Sequence, residues 1–418
     1  MSQSGIPARR TAAFLLDRVI GDGKLMSELV ASGALDRLDS PDKARAQRLA
    51  MTVLRNLERA DRLIGKHVPK PPPLPIRNLL RLGVIELRDG SGAHGVVNDL
   101  VSIAARNKQH GRLKGLVNAV LRKLAVDVSK EWDILRTPQM PGWLRAPLKA
   151  AWGPEALKGI EAAHHAGAPL DLTPRGDAAV VAKALDAELL PTGSVRVRDA
   201  GQVSKLPGYT TGDWWVQDAA AAIPARFARG PKVLDLCTAP GSKALQLAAA
   251  GCEVTAIDSS AKRLELVEEN LTRTGLRADV QHRDVREMKG QWDTVLLDAP
   301  CSATGTIRRH PDLPHAKDGS DFIGLFALQA ELLDHAIGCV KPGGRLIYCT
   351  CSLLPDEGEV QVEEALTRHK DLRVDRAALD VAWLEPAWIT KEGGLRLRPD
   401  YWADRGGMDG FYIAVLTR

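Results

Sequence analysis

Aromatic residues are scarce in this chain, making up 4% of its 418 residues. That scarcity excludes a wide stacking platform of the kind that grips single-stranded nucleic acid. Cysteine is sparse as well. Six cysteines over this length do not form a disulfide framework, and no two stand in the CxxC spacing of a zinc site. The chain therefore reads as cytoplasmic and without a bound metal. No stretch approaches the roughly 20 apolar residues of a membrane span, so no membrane association is expected. Arg9-Arg10 ahead of Ala12-Ala13-Phe14-Leu15-Leu16 has the outline of a twin-arginine leader. Its apolar run stops at Asp17-Arg18, short of the roughly 7–15 residues that a signal core needs. Internal repeats and low-complexity tracts are absent too.

What is present points to two or three domains, the number this length supports. A net charge of +5 is compatible with a polyanionic partner without demanding one. Residues 1–127 read as helical throughout. Leu49, Val53, Leu54 and Leu57 recur at three- and four-residue spacing, as do Leu116, Val117, Val120, Leu121 and Leu124. Pro69, Pro71, Pro72, Pro73 and Pro75 interrupt that pattern. The spacing resumes at once with Ile76, Leu79, Leu80, Val84, Ile85 and Leu87, so an inter-helix loop is expected there rather than a domain boundary. Residues 128–169, with Trp132, Trp143 and Trp152, read as a helical connector, and 170–215 as a small α/β module.

From 216 to 418 the pattern changes. Strand-length apolar runs at 232–236 and 254–258 alternate with amphipathic stretches at 244–250 and 261–272. Such alternation predicts a mostly parallel sheet with helices on both faces, an α/β fold. A helix is expected near 322–340, and 410–416 as a final buried strand.

Ligands of such sheets bind at the C-terminal ends of the strands. Two thiols fall there. Cys301 follows Thr294-Val295-Leu296-Leu297 in Asp298-Ala299-Pro300-Cys301, and Cys351 follows Gly344-Arg345-Leu346-Ile347 in Tyr348-Cys349-Thr350-Cys351-Ser352. Upstream, Asp235-Leu236-Cys237-Thr238-Ala239-Pro240-Gly241-Ser242-Lys243 is a strand end, a tight turn and a helix start. Gly241 lets backbone approach a ligand, and the helix N-terminus offers free N–H groups. The glycine spacing is neither that of a P-loop nor that of a dinucleotide fingerprint. An ordinary strand–helix turn is the plain alternative, but Asp258 and Asp284 close the next two apolar runs. Acids in register there suit an adenosine-containing ligand without phosphates, Asp258 at the ribose and Asp284 at the adenine amino group.

Together these three segments resemble the Sun/NOP2 family of S-adenosylmethionine-dependent RNA cytosine-C5 methyltransferases. Residues 1–127 are similar to the NusB-like RNA-binding domain of its bacterial small-subunit rRNA branch, as is Gly406-Gly407-Met408-Asp409-Gly410-Phe411 near the end. The resemblance implies a Rossmann-like methyltransferase domain over 216–418. It implies cofactor contacts from Cys237, Thr238, Ala239, Pro240, Gly241, Ser242, Lys243, Asp258, Asp284 and Asp298. One departure stands out: family loops usually read Gly-Gly-Lys where this chain has Gly241-Ser242-Lys243.

Carbon 5 of cytosine is too weak a nucleophile to attack a methyl sulfonium directly. A thiolate adding at carbon 6 makes an enamine whose carbon 5 takes the methyl group, and the adduct can later be reversed. A free thiol near pKa 8.5 is mostly protonated at neutral pH, so the site has to ionise it. Spacing does not say which thiol attacks; proximity to Asp298 alone favours Cys301. The resemblance instead makes Cys351 the nucleophile, gives Cys301 product release, and sets Asp298 against base and cofactor. The plain reading of each thiol is a small core residue.

Arg106, Lys108, Arg112, Lys114, Arg122 and Lys123 form an acid-free run that is either an RNA contact or a solvated face. Arg308-Arg309-His310 is either a phosphate clamp or a plain surface loop. The expected partner is RNA, small-subunit (16S) rRNA first, with the target cytosine unstacked into the pocket. The alternatives are tRNA, amino-group methylation, and a non-catalytic NusB-like RNA-binding factor. A monomer is expected.

Overall fold

The structure, a computed structural model, describes residues 5–418. Two compact units divide it: residues up to 149 together with 309–319, and residues 150–308 together with 320–418.

The first unit is helical. Its elements are α1 (Ile6–Asp22), α2 (Met26–Ala31), α3 (Ser40–Arg55), α4 (Leu57–Gly65), α5 (Leu74–Arg88), α6 (Ala93–Ala105), α7 (Lys114–Asp133) and the start of α8 (Gly142–Ala166), which bends at Gly153. The proline run lies between α4 and α5, where it ends one helix and starts the next with Pro73 at the cap. Leu79, Leu80, Leu82, Val84, Ile85 and Leu87 are all buried, so α5 is enclosed on every side, against α1, α3, α4, α6 and α7. Arg9 is buried within this core, its guanidinium 2.6 Å from Glu86 and 2.5 Å from Asp99. Arg106, Lys108, Arg112, Lys114, Arg122 and Lys123 are all exposed, from the end of α6 along α7.

In the second unit the bent α8 leads to β1 (Leu170–Pro174), α9 (Ala178–Ala184), β2 (Glu188–Leu189), β3 (Val195–Val197) and β4 (Trp214–Val216). These strands form a small antiparallel sheet in the order β2-β3-β1-β4. Then come β5 (Lys232–Leu236), α10 (Ser242–Ala249), β6 (Glu253–Asp258), α11 (Ala261–Thr274), β7 (Asp279–His282) and β8 (Trp292–Asp298). The short α12 (Leu313–Ala316) belongs to the first unit. The chain closes with α13 (Phe322–Gly338), β9 (Val340–Thr350), α14 (Glu359–Arg368), β10 (Arg373–Val374), β11 (Leu395–Leu397) and β12 (Phe411–Thr417).

The large sheet runs β10-β12-β9-β8-β5-β6-β7, with β11 beside β12. Strands β5 to β9 are parallel, and β12 inserts antiparallel to β9. The α/β expectation and the buried final strand are both met. Alternation at period two sorts the apolar side chains onto two faces. Val233, Leu296, Ile347, Ile413 and Val415 pack in one core, while Leu234, Val295, Leu297, Leu346, Tyr348 and Ala414 pack in another under α13 and α14. Strand order reverses between β5 and β8, the point where an open α/β sheet forms its ligand crevice.

Candidate active site

The loop after β5 is shaped by its neighbours. Gly241 has φ +94°, and a Cβ there would lie 2.8 Å from a methyl of Val267 on α11, so only glycine fits. The Thr238 N–H donates to the carbonyl of Ile257 at 2.9 Å, pinning the loop to β6. At the end of β6, Asp258 accepts the N–H of Ala239 at 3.1 Å and that of Ser260 at 2.9 Å. The acid chosen as a ligand contact therefore also holds the loop in shape.

A cleft of about 560 Å³ opens over these strand ends, a size that suits a nucleoside-sized ligand. Cys237, Ala239, Pro240, Asp258, Asp284, Asp298, Cys301 and Cys351 line it. Thr238, Gly241, Ser242 and Lys243, also expected at the cofactor, do not line the cleft. Asp284 faces it with both carboxylate oxygens engaged by Arg286, at 2.9 and 2.6 Å. Those bonds hold the Asp284 carboxyl at about 2.

Lys243 is buried and its ammonium lies 2.7 Å from Asp298. Burial works against its charge, but the surrounding negative groups, Asp298 foremost and Asp235 among the others, together hold the ammonium above its ordinary value. The other Asp298 oxygen accepts the thiol of Cys349 at 3.6 Å. Burial first, and then Asp298, push that thiol well up, so it stays protonated and donates. Asp298 is thus fixed from both sides. Below it, the buried carboxyl of Asp235 is pushed up to about 7 by desolvation. One of its oxygens takes the Thr238 hydroxyl at 2.5 Å, and the other has no hydrogen-bond partner among the described residues.

The two thiols meet. Asp298 is in register with Cys349 across β8 and β9, so the chain just beyond each strand brings Cys301 and Cys351 to the same point. Their sulfurs are 3.4 Å apart, and both residues are half-buried. The Cys301 thiol is pushed well above its ordinary value, first by the Cys351 sulfur, then by burial and the Glu357 carboxylate. A protonated thiol beside a second sulfur at a strand end, next to a fixed carboxylate, is an arrangement for covalent addition and its reversal.

This sheet order and this cleft define a class: Rossmann-like methyltransferases that use S-adenosylmethionine. The comparisons then narrow it. Residues 226–417 match the family described as 16S rRNA methyltransferase RsmB/F, and residues 6–126 match the NusB family. Ribosomal RNA small subunit methyltransferase B of Pseudomonas syringae pv. tomato is 36% identical over 98% of this chain and 96% of its own length. The Vibrio cholerae protein of that name is 34% identical, over 98% and 97%. Among solved structures, PH0851 superposes over 99% of both chains with a TM-score of 0.75 at 20% identity. A methyltransferase homolog protein from Pyrococcus horikoshii covers 65% of this chain and 93% of its own, with a TM-score of 0.54 and 27% identity. The chain belongs to the RsmB/F methyltransferase family, with an N-terminal NusB domain.

Arg308 answers to neither alternative raised by the sequence. Its side chain is 0% exposed and pairs with Asp218 and with Asp409, the latter at 2.9 Å. Sequence reasoning missed it because the two aspartates lie 90 and 101 residues away along the chain. It also missed that Lys243 engages Asp298. The only signal, and for Lys243 alone, was a long cation placed among small residues at 239–244.

Proposed function

We propose that this protein transfers a methyl group to carbon 5 of a cytosine in small-subunit rRNA, through a covalent adduct with Cys351. The observation that carries the reading is the 3.4 Å separation of the Cys301 and Cys351 sulfurs at the cleft that Asp298 also lines. S-adenosylmethionine supplies the methyl group, held by Cys237, Ala239, Pro240, Asp258 and Asp284. Cys351 adds to carbon 6, and the electron pair of the 5,6 double bond becomes available at carbon 5. Asp298, held by Lys243 and Cys349, is set against the base and the cofactor. After transfer a base takes the carbon 5 proton, the freed electron pair re-forms the 5,6 double bond, and the carbon 6–sulfur bond breaks to release Cys351 as a thiolate. Cys301 assists that release from the adjacent position. The exposed basic residues between α6 and α7 and along α7 support the RNA assignment, because such residues neutralise phosphates without reading sequence.

The test uses unmodified 16S rRNA and methyl-labelled S-adenosylmethionine on a denaturing gel. Cys301→Ala is expected to accumulate a labelled protein–RNA adduct that disappears when Cys351 is also changed to Ala. Full turnover by Cys351→Ala would overturn the assignment of the nucleophile.

A further inference from the structure

Glu357 takes no part in the chemistry above, yet its side chain is 0% exposed and its hydrogen-bond partners are neutral. A buried carboxylate is costly unless several donors converge on it. Here they do. One oxygen accepts the backbone N–H of Ser302 at 2.8 Å and the side-chain amide of Gln329 at 3.0 Å. The other accepts the Ser302 hydroxyl at 2.5 Å.

Ser302 directly follows Cys301. Its hydroxyl also lies 3.2 Å from the hydroxyl of Ser352, which directly follows Cys351. Thr304 stands 3.2 Å from both hydroxyls and accepts the N–H of Leu353 at 2.9 Å. On its backbone side, the carbonyl of Glu357 accepts the hydroxyls of Tyr348 at 2.9 Å and Thr350 at 3.1 Å, both on the strand that leads to Cys351. Glu357 is thus bonded to the residue after one thiol and to the strand before the other. Through the serine hydroxyls it connects the two turns.

We propose that Glu357 is a positioning residue that ties the Cys301 loop to the Cys351 turn and so sets the sulfur separation on which release of the product depends. The last clause rests on the methyl-transfer reading; the separation itself does not. The Glu357 charge also helps to keep Cys301 protonated, after the Cys351 sulfur and burial.

Phenylarsine oxide tests the separation directly. It bridges two neighbouring thiols with loss of one water, and it needs neither RNA nor cofactor. The full-length wild type is expected to capture one equivalent, and neither Cys301→Ala nor Cys351→Ala should do so. Glu357→Ala should weaken capture about tenfold, as expected when a charged acceptor shared by three donors is removed. In the rRNA assay the same variant should accumulate the covalent adduct, as Cys301→Ala does. Glu357→Gln keeps an acceptor for the Ser302 N–H and should restore capture to within about threefold of wild type. Should Glu357→Ala fail to fold, Ser302→Ala removes the hydroxyl link and keeps the backbone bond. It should shift capture and adduct the same way, by about threefold. Folded Glu357→Ala, or failing that Ser302→Ala, with wild-type capture and no adduct would overturn the proposal. Normal capture by wild type with no adduct from Cys301→Ala, while wild type methylates the same RNA, would defeat the release role of Cys301 and leave methyl transfer intact. If wild type does not methylate it, the methyl-transfer reading fails, and in both cases the positioning role stands or falls on the arsenical.

Discussion

Replacing Arg308 with Met separates a structural role from an RNA-binding one. The guanidinium sits between Asp218 and Asp409, all three side chains are at most 1% exposed, and a third donor reaches the carbonyl of Gly406 at 2.9 Å. Asp218 in turn accepts the N–H groups of Ala220 and Asp409, at 2.9 and 3.0 Å. Methionine fills much of the volume but takes the Arg308 charge away from two buried carboxylates. Removing one partner of a buried pair costs about 3–5 kcal/mol, and with two acids losing that charge the upper half of that range applies. For a unit of this size, each kcal/mol lowers the melting temperature by roughly 2–4 °C, so a drop of about 10–20 °C is expected. Differential scanning calorimetry reads it. The control is the triple variant Arg308→Met, Asp218→Asn, Asp409→Asn, which removes the two acidic charges as well and should recover part of the loss. A phosphate clamp behaves otherwise: melting would hardly change, and the log–log salt slope of RNA binding would shrink by about 0.7 for the one lost contact. An unchanged melting temperature with a reduced slope would refute the structural reading.

Asp258→Ala removes both an N–H acceptor of the cofactor loop and the expected ribose acceptor. S-adenosylmethionine affinity by calorimetry should fall about 10–100-fold, as hydrogen bonds to a charged group predict; a change under about threefold would count against this placement. Gly305→Ala would set a methyl 2.6 Å from the carbonyl carbon of Gly410, where the Gly305 carbonyl accepts the Gly410 N–H at 2.8 Å. Gly305 also donates to the carbonyl of Cys351 at 2.9 Å, so methyl transfer should fall together with stability, by about 1–3 kcal/mol in thermal melts. His315 is held down to about 4 by burial, while its Nε2 donates to the carbonyl of Leu54 at 3.1 Å. The unfolded chain, near 6.5, takes up that proton first as pH falls. Its contribution is therefore complete above about pH 6.5 and lost on the way down to about 4, by no more than roughly 3 kcal/mol. Urea melts of His315→Gln should lack this part of the pH dependence; an identical profile would reject it.

Fold and cleft were legible in the sequence to different depths. The sheet was readable because buried parallel strands are short apolar runs, and β5, β6, β8 and β9 each end in a turn or in residues with chemistry. Strand ends carry ligands, so Asp258, Asp284, Asp298, Cys301 and Cys351 fell out of the same reading, and all five line one cleft. The edge elements were less visible. β10 and β11 are two and three residues long, and only pairing with β12 makes them strands. Nor did the loop sequence show which of its residues face the ligand. Thr238 turns its hydroxyl inward to Asp235 and Lys243 reaches Asp298; both partners come from strand ends, and the loop sequence does not reveal these contacts.

The hardest feature to foresee is the proposed division of labour between the thiols, and the geometry bears on why. Proximity to Asp298 along the chain favoured Cys301, but the residue in contact with Asp298 is Cys349, one strand over. Cys301 instead lies against Cys351 and above Glu357, so any charge on its sulfur would face a second sulfur and a buried carboxylate. Like charges at that range oppose ionisation in a low-dielectric setting. The proposed nucleophile, Cys351, lies against the Cys301 thiol at 3.4 Å. None of these partners is near in sequence: Glu357 is 55 residues from Ser302, and Cys351 is 50 from Cys301. Under the proposed mechanism the roles would follow from which buried charge each sulfur meets, an arrangement made only when the ends of β8 and β9 come together. If Glu357 were replaced by a neutral residue without disturbing the loop, Cys301 would ionise more readily. Glu357→Gln should therefore show faster iodoacetamide alkylation at Cys301 in a Cys351→Ala background, by severalfold at neutral pH. An unchanged rate would mean that the carboxylate acts on position alone and leaves the protonation of Cys301 to its sulfur neighbour and its burial.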